Sequence, residues 1–363
     1  MKKKGIIIVA IVLAIILIAI ISSIIWFFIQ IKAPKKIEME DSQIEVEIKQ
    51  KTSTVDILKE LKESNVIKNE LAAKIYIKLY EVKNLQAGKY LFTGKENLKE
   101  VLNKLVTGDV MDETIKITFK EGKNMRYIAK EIASNTNNTS NDVFSILEDD
   151  EYILSLIDKY WFLNNDIQNE AIYYPLEGYL YPDTYTFENK DVEVKTIFEK
   201  MLDETGKILT KNKERMEKVN INPHQVLTVA SIIEIEGNNA ENRGKVSRVI
   251  YNRLNKNMSL GSDVTTYYAI KVDMGERDLY QKEIDTYNSY NTRGPNMAGK
   301  LPIGPICNPS EESINAALHP TSGDFLYFVA DKNGDMYFTN TYEEHQAQIA
   351  QLKRKGLWFN YDE

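Results

Sequence analysis

The chain has 363 residues, of which 43% are hydrophobic and 27% charged, with 17 Gly, 9 Pro and a single Cys. That composition suits two or three globular domains and excludes a collagen-like, low-complexity or wholly disordered chain. With 53 acidic against 46 basic residues the net charge is −7, which argues against nucleic acid as a partner. The lone Cys307 excludes an intramolecular disulfide, so a large core must hold the folded part together.

The average hides an asymmetry. Residues 5–28 read GIIIVAIVLAIILIAIISSIIWFF without one charge, a helix of roughly 35 Å at about 1.5 Å per residue, enough to cross a bilayer core of about 30 Å. Lys2, Lys3 and Lys4 precede it, and Trp26, Phe27 and Phe28 close it as an interfacial aromatic belt would. A cleaved signal peptide fits badly, because the run is too long, no A-x-A site follows and no Cys is placed for lipidation. Lys32, Lys35 and Lys36 balance the three leading lysines, but the free N-terminus adds a fourth positive charge. A short basic tail directs the N-terminus to the cytoplasm and the bulk of the chain outside. The expected organisation is a cytoplasmic tail and transmembrane helix (1–31) and a polar linker (32–43). A small α+β module (44–120), a helical connector (121–165) and a larger mixed α/β main domain (166–363) follow, α+β overall.

From residue 44 onward a strand-turn-helix pattern recurs. IEVEIKQKTSTVDILKELKES alternates at Ile44, Val46 and Ile48, then places Val55 and Leu58 on one helix face behind a Thr52 or Ser53 cap. IKITFKEGKNMRYIAKEIASN repeats this with Ile115, Ile117 and Phe119, then Ile128 and Ile132. Between the copies, a strand is expected around Tyr90 and Phe92 and a helix over 97–105, stopped by Gly108. The polar stretch 134–141 (SNTNNTSN) reads as a loop.

Several searches for chemistry fail. Three His without an H-E-x-x-H pattern make a zinc site improbable, and no G-x-S-x-G or S-x-x-K occurs. GPNMAGK (294–300) imitates a phosphate loop but continues Leu301-Pro302 where Ser or Thr and a helix are required. No metal and no cofactor is expected.

The informative segment is NPHQVLTVASIIEIEGNN. Asn222 suits an N-cap, Pro223 the first helical position and Gly237 the stop, and the helix between is apolar almost all round, hence buried. Glu234 and Glu236 interrupt it on nearly opposite sides, so they cannot work as a pair. A carboxyl isolated among aliphatic side chains is held protonated toward neutral pH and can serve as a general acid. A structural ion pair is the competing reading, since Arg243, Arg248 and Arg253 follow at once. One of the two acids is expected to be structural. Further on, YLYPDTY (179–185), GSDVTTYY (261–268), YNSYNTRG (287–294) and LPIGPICNPS (301–310) gather Tyr, Asn, Asp and Thr, which suits sugar rings; many of these Tyr also suit a core.

Taken together, EGYLYPDTYTF (177–187), ASIIEIEG (230–237), KVSRVIYNRL (245–254), MSLGSDVTTYYA (258–269), YNSY (287–290), LPIGPICNPS (301–310), SINAALHP (313–320) and YFVADKNGDMYFTNTYEEH (327–345) resemble, in collinear order, the YceG-like family of endolytic murein transglycosylases. AGKYLF (87–92) and FKEGKNM (119–125) resemble the family's LysM-like region. The resemblance implies that Glu236, second acid of the A-S-I-x-E-x-E element, is catalytic. It further implies that Glu177, Asn252, Asp263, Thr265, Tyr287, Asn288 and Tyr290 line a glycan cleft. Val264, Ile303 and Ser310 depart from the family's usual Pro, Pro and Gly. The implied protein is a single-pass enzyme of the bacterial cell membrane, its catalytic domain outside. It would cut MurNAc–GlcNAc bonds in nascent peptidoglycan to leave 1,6-anhydroMurNAc ends. The implied partners are glycan strands, the cytoplasmic membrane, penicillin-binding synthases and division proteins. The competing readings are a hydrolytic muramidase and a non-catalytic wall-binding scaffold for synthases.

Overall fold

Charge-free aliphatic sequence leaves the backbone no partner but itself, and the chain begins with one long helix, α1 (Lys2–Gln30). The computed structural model describes residues 2–34, 43–111 and 113–358. Most of the expected linker, with Lys35 and Lys36, lies outside the described residues. The stretch Lys4–Gln30 is long and apolar enough to cross a membrane, and none of its apolar window is buried inside the protein. The chain as a whole is a mixture of helix and strand that divides into two compact units, Met1–Glu113, which includes α1, and Thr114–Glu363.

In the first unit β1 (Ile44–Ile48) pairs antiparallel with β2 (Gly88–Phe92), Ile44 opposite Phe92. Alternation sends Val46 and Ile48 inward and Glu45 and Glu47 outward. Helices α2 (Thr54–Glu63), α3 (Glu70–Leu79) and α4 (Leu98–Thr107) complete it around Leu58, Leu61, Tyr90, Phe92 and Leu105. Ser53 caps α2 and Asn97 caps α4, while Gly108 ends α4 at φ 68°, a left-handed position suited to glycine. Val55, expected on the inner face of α2, is 53% exposed; Ile57, Leu58 and Leu61 form that face instead. Phe27 and Ile31 at the end of the α1 segment pack against this core, and the Leu98 N–H donates to the Ile31 carbonyl at 2.9 Å.

The second unit opens with β3 (Ile115–Thr118), which pairs antiparallel with β4 (Thr184–Phe187). Helices α5 (Met125–Asn135), α6 (Ser140–Leu147), α7 (Asp150–Lys159), α8 (Val194–Lys211) and α9 (Lys213–Val219) complete this part, α5 packing on β3, α6 on α5, α7 and α8, and α9 on α8. The strand of the second copy, expected at the end of the small module, therefore falls in the second unit. Helices α5 to α7, expected as a connector, share its core through Ile128, Val143, Ile153 and Leu156. The expected loop 134–141 shrinks to 136–139, because Thr139 and Asp142 form a capping box that starts α6 early.

α10 (Pro223–Glu236) runs through the centre, packed by α11 (Ala240–Asn255), α12 (Asp263–Ala269) and α14 (Glu311–Leu318). A short α13 (Gln281–Ile284) precedes the 287–310 loops. The chain then forms the hairpin β5 (Tyr327–Ala330) and β6 (Met336–Thr339) before α15 (Tyr342–Arg354). Every described sheet has two antiparallel strands. The second unit is thus a helix-dominated mixture of helix and strand, as expected of the main domain; its strands span only four residues each.

Candidate active site

The site is built on the exposed end of α10. Asn222 and Gln225 form a capping box, Pro223 occupies the first turn, and residues from Val226 to Ile233 are buried on all sides. The last turn emerges from the core, so Glu234, Ile235 and Glu236 are all partly accessible. Gly237 stops the helix, its N–H donating to the Ile233 carbonyl at 2.8 Å.

The two acids diverge as their spacing requires. Glu234 accepts from Arg243 Nη2 at 3.1 Å through Oε1, and from the Ser310 N–H at 3.0 Å and the Ser310 hydroxyl through Oε2. Arg243 also pairs with Glu312. Glu234 is the structural acid, clamping α10 to α11 and to the start of α14.

Glu236 has one polar contact of this kind: its Oε1 accepts from the Ser262 hydroxyl at 2.6 Å. Burial pushes its carboxyl up to about 7; the Ser262 donor and the Arg253 charge pull it down, and the Asp263 charge adds to the rise. A carboxyl that is accessible yet poorly solvated can carry a proton near neutral pH and give it up.

Ser262 stands at the start of α12 in a closed hydroxyl network. Its N–H donates to Thr292 Oγ1 at 3.1 Å, and its carbonyl accepts from Thr265 Oγ1 at 2.7 Å. The Thr265 and Thr292 hydroxyls lie 2.8 Å apart, and the Thr292 N–H donates to Thr265 Oγ1 at 3.1 Å. Each hydroxyl has one proton; Thr265 gives its own to Ser262, so Thr292 donates across the pair. Both threonines are fully buried. Asp263, the next residue, is exposed and paired with Arg293 Nη1 at 2.6 Å. On the other side Arg253 donates to the carbonyls of Leu260 and Leu326, each at 2.6 Å, with its guanidinium 5.0 Å above the Tyr327 ring.

Of the residues implied by the resemblance, the structure gathers Asp263 and Thr265 around Glu236. Thr265 acts through Ser262, since no part of it reaches the surface. Glu177, Asn288 and Tyr290 form a neighbouring interior cluster. Glu177 is 2% exposed, and its carboxylate accepts from the Met125 N–H, Tyr268 hydroxyl and Asn308 Nδ2 at 2.9, 3.0 and 3.2 Å. Burial lifts its carboxyl to about 7 as well. Tyr290 is 1% exposed, packed edge-on against Tyr268 at 4.8 Å, while Asn288 donates to the Tyr173 hydroxyl at 2.7 Å. Glu177 and Tyr290 are therefore interior residues and do not line an open surface. The tyrosine motifs follow the same pattern: Tyr179, Tyr185, Tyr268 and Tyr290 are core residues, whereas Tyr287 is exposed. Asn252 anchors the loop before β5 through the carbonyls of Gly323 and Phe325.

Ser262, Thr292 and Arg293 escaped the sequence reading, although each lies inside or beside a quoted motif. Their partners are 26 to 30 residues away in the chain, and no local period marks such pairs. Among the described residues no group of three or more His, Cys, Asp or Glu is placed to hold a metal ion.

Residues 46–351 match the model of the YceG-like family. The chain is 36% identical over 305 residues to the endolytic murein transglycosylase of Bacillus subtilis, covering 83% of this chain and 82% of that protein. It is 28% identical over 309 residues to the endolytic murein transglycosylase of Streptococcus pneumoniae, covering 80% of this chain and 55% of that longer relative. A crystal structure of a yceG-like protein from Listeria monocytogenes, 34% identical, superposes with a TM-score of 0.60 over 85% of this chain and all of that one. A family match spanning most of the chain, with the acid-bearing helix and both surrounding loop regions inside it, makes this protein a member of the YceG-like family.

Proposed function

We propose that the protein is a membrane-anchored lytic transglycosylase that cleaves MurNAc–GlcNAc bonds within peptidoglycan strands and leaves 1,6-anhydroMurNAc ends. The observation that carries this reading is Glu236, a lone, accessible carboxyl held near 7 by burial and steered by a single hydroxyl donor. The names of the relatives from Bacillus subtilis and Streptococcus pneumoniae support it. In the proposed reaction the protonated Glu236 gives its proton to the glycosidic oxygen as the C1–O bond breaks. The resulting carboxylate takes the proton of the muramyl C6 hydroxyl, whose oxygen bonds to C1. The proton count closes on one residue, because the nucleophile belongs to the substrate.

α1 supplies the anchor in this reading, with the N-terminus cytoplasmic and both units outside. The first unit, from residue 44 onward, is the LysM-like module, and the second is the catalytic domain. Cutting near the membrane would limit the length of nascent strands, beside the synthases and division proteins that extend them.

One observation favours a hydrolytic muramidase: Asp263 lies close enough for its charge to raise Glu236, and hydrolysis needs a second carboxylate, at about 5 Å or about 6.5–9.5 Å. The Arg293 ion pair occupies Asp263 and favours a binding or loop-ordering role instead. Product mass decides. Digestion of purified sacculi should release fragments with anhydromuramyl ends, one water lighter than reducing ends; reducing ends would establish the muramidase. Binding of sacculi without any fragment released would establish the scaffold.

A further inference from the structure

A concavity lies between the start of α5 and the 267–274 segment, and it takes one residue each from the ends of α10 and α12 that carry Glu236 and Asp263. It has a volume of about 480 Å³, within the range of roughly 300–1,000 Å³ typical of ligand sites. Ile235 supplies part of its floor, one residue before Glu236 on α10. Val264 supplies another part, one residue after Asp263 on α12. Since consecutive Cα atoms are about 3.8 Å apart, a ligand held at the Glu236 carboxyl has this cavity within reach of a short branch.

Its chemistry is two-sided. Ile235, Val264 and Ile306 form an apolar floor, with Lys123, Arg126, Lys130 and the exposed Met274 also in the lining. Asp273 is the one acidic side chain in the lining, and it pairs with Arg126 at 2.6 Å. Two exposed lysines are left without a matching acid in the wall, one of them 5.7 Å above the Tyr127 ring. In a chain of net charge −7 a concentration of positive charge against an apolar floor marks a place for a small anionic, partly apolar ligand.

We infer that this cavity binds the stem peptide of the glycan substrate, its small aliphatic side chains on the apolar floor and its carboxylates on Lys123 and Lys130. This rests on the reading of the substrate above. The peptide hangs from the muramyl lactyl group, on the same sugar whose C1 must meet Glu236, so it starts within a peptide's length of the cavity. An inorganic phosphate or lipid pyrophosphate would satisfy the lysines but make no use of the floor. Peptide carried by the cleaved sugar would make the enzyme discriminate between dressed and stripped strands.

The test uses the full-length protein in detergent micelles, carrying Glu236→Gln so that ligand survives. Binding of a muramyl-containing tetrasaccharide with intact stem peptides is compared by calorimetry with binding of the same glycan after the peptides are removed. Lys123→Glu combined with Lys130→Glu should weaken the peptide-bearing ligand about tenfold and leave the stripped glycan unchanged. The difference should shrink as salt is raised through the range where the Debye length falls below about 10 Å. Equal loss for both ligands, or no loss for either, overturns the assignment. Wild-type protein that cleaves neither ligand would count against the proposed reaction, while the binding difference would still decide the cavity.

Discussion

Ser262 Oγ donates a hydrogen bond to Oε1 of Glu236 at 2.6 Å, and Ser262 is itself held by two fully buried threonines. Burial favours the neutral acid, and the serine donor favours the carboxylate. The balance is a group poised to change charge near neutrality, in a direction fixed by rigid neighbours.

The pH dependence of cleavage follows from that balance. Glu236 must begin protonated, so kcat/KM should be level on the acid side and fall about tenfold per pH unit above about 7. No acid limb from a second carboxylate is expected for the lytic reaction. A pH profile of fragment release checks both, and a fall on the acid side would show that a second carboxylate takes part.

Ser262→Ala removes a donor that stabilises the charged form. The falling limb should move to higher pH, by up to about 1 unit, and kcat should drop about tenfold as the carboxyl loses its fixed direction. A variant with unchanged pH limb and reduced activity would mean that Ser262 acts on folding alone.

Glu236→Gln should abolish cleavage and leave the fold intact. It should also change how stability depends on pH. Glu236 and Glu177 both sit at about 7 in the native protein, above the usual 4.5 of the unfolded chain. Between those values the native state binds more protons than the unfolded state, so their stabilising contribution is full below about 4.5 and is lost as pH rises through 7. Denaturant midpoints should fall from pH 5 to pH 8, and Glu236→Gln should remove about 2 kcal/mol of that fall, the partial accessibility of Glu236 being allowed for.

Glu234→Ala, two residues away, should behave oppositely. It strips Arg243 and the Ser310 N–H of an acceptor in a nearly buried clamp, although Glu312 stays beside Arg243. A loss of about 2–3 kcal/mol is expected, with the pH limb of surviving activity unmoved. Thermal unfolding and a pH profile on the same sample separate the two acids.

Gly178→Ala tests the scaffold under Glu177. Gly178 has φ +83°, and a Cβ there would lie 2.3 Å from Pro305 Cβ, far inside contact distance. Loss of about 3 kcal/mol or more is expected, visible as a lowered Tm. A neutral result would show that the 301–310 loop shifts freely.

Much of this was legible along the chain because it depends on neighbours a few residues apart. Charge-free sequence specifies α1, alternation specifies β1, and Asn222, Pro223 and Gly237 delimit α10. The divergence of Glu234 and Glu236 follows from helical geometry alone, and one acid was expected to be structural. Which acid that was needed Ser310 and Arg243, one of them 76 residues distant. The tertiary structure also decided that Tyr290 and Glu177 belong to the interior, because burial depends on what packs above a residue. It moved β3 into the second unit, since a strand belongs wherever its ladder partner lies, here β4. The residues themselves set local conformation and the chemistry available; long-range packing chose the solvation of each carboxyl, and with it the one free to exchange a proton.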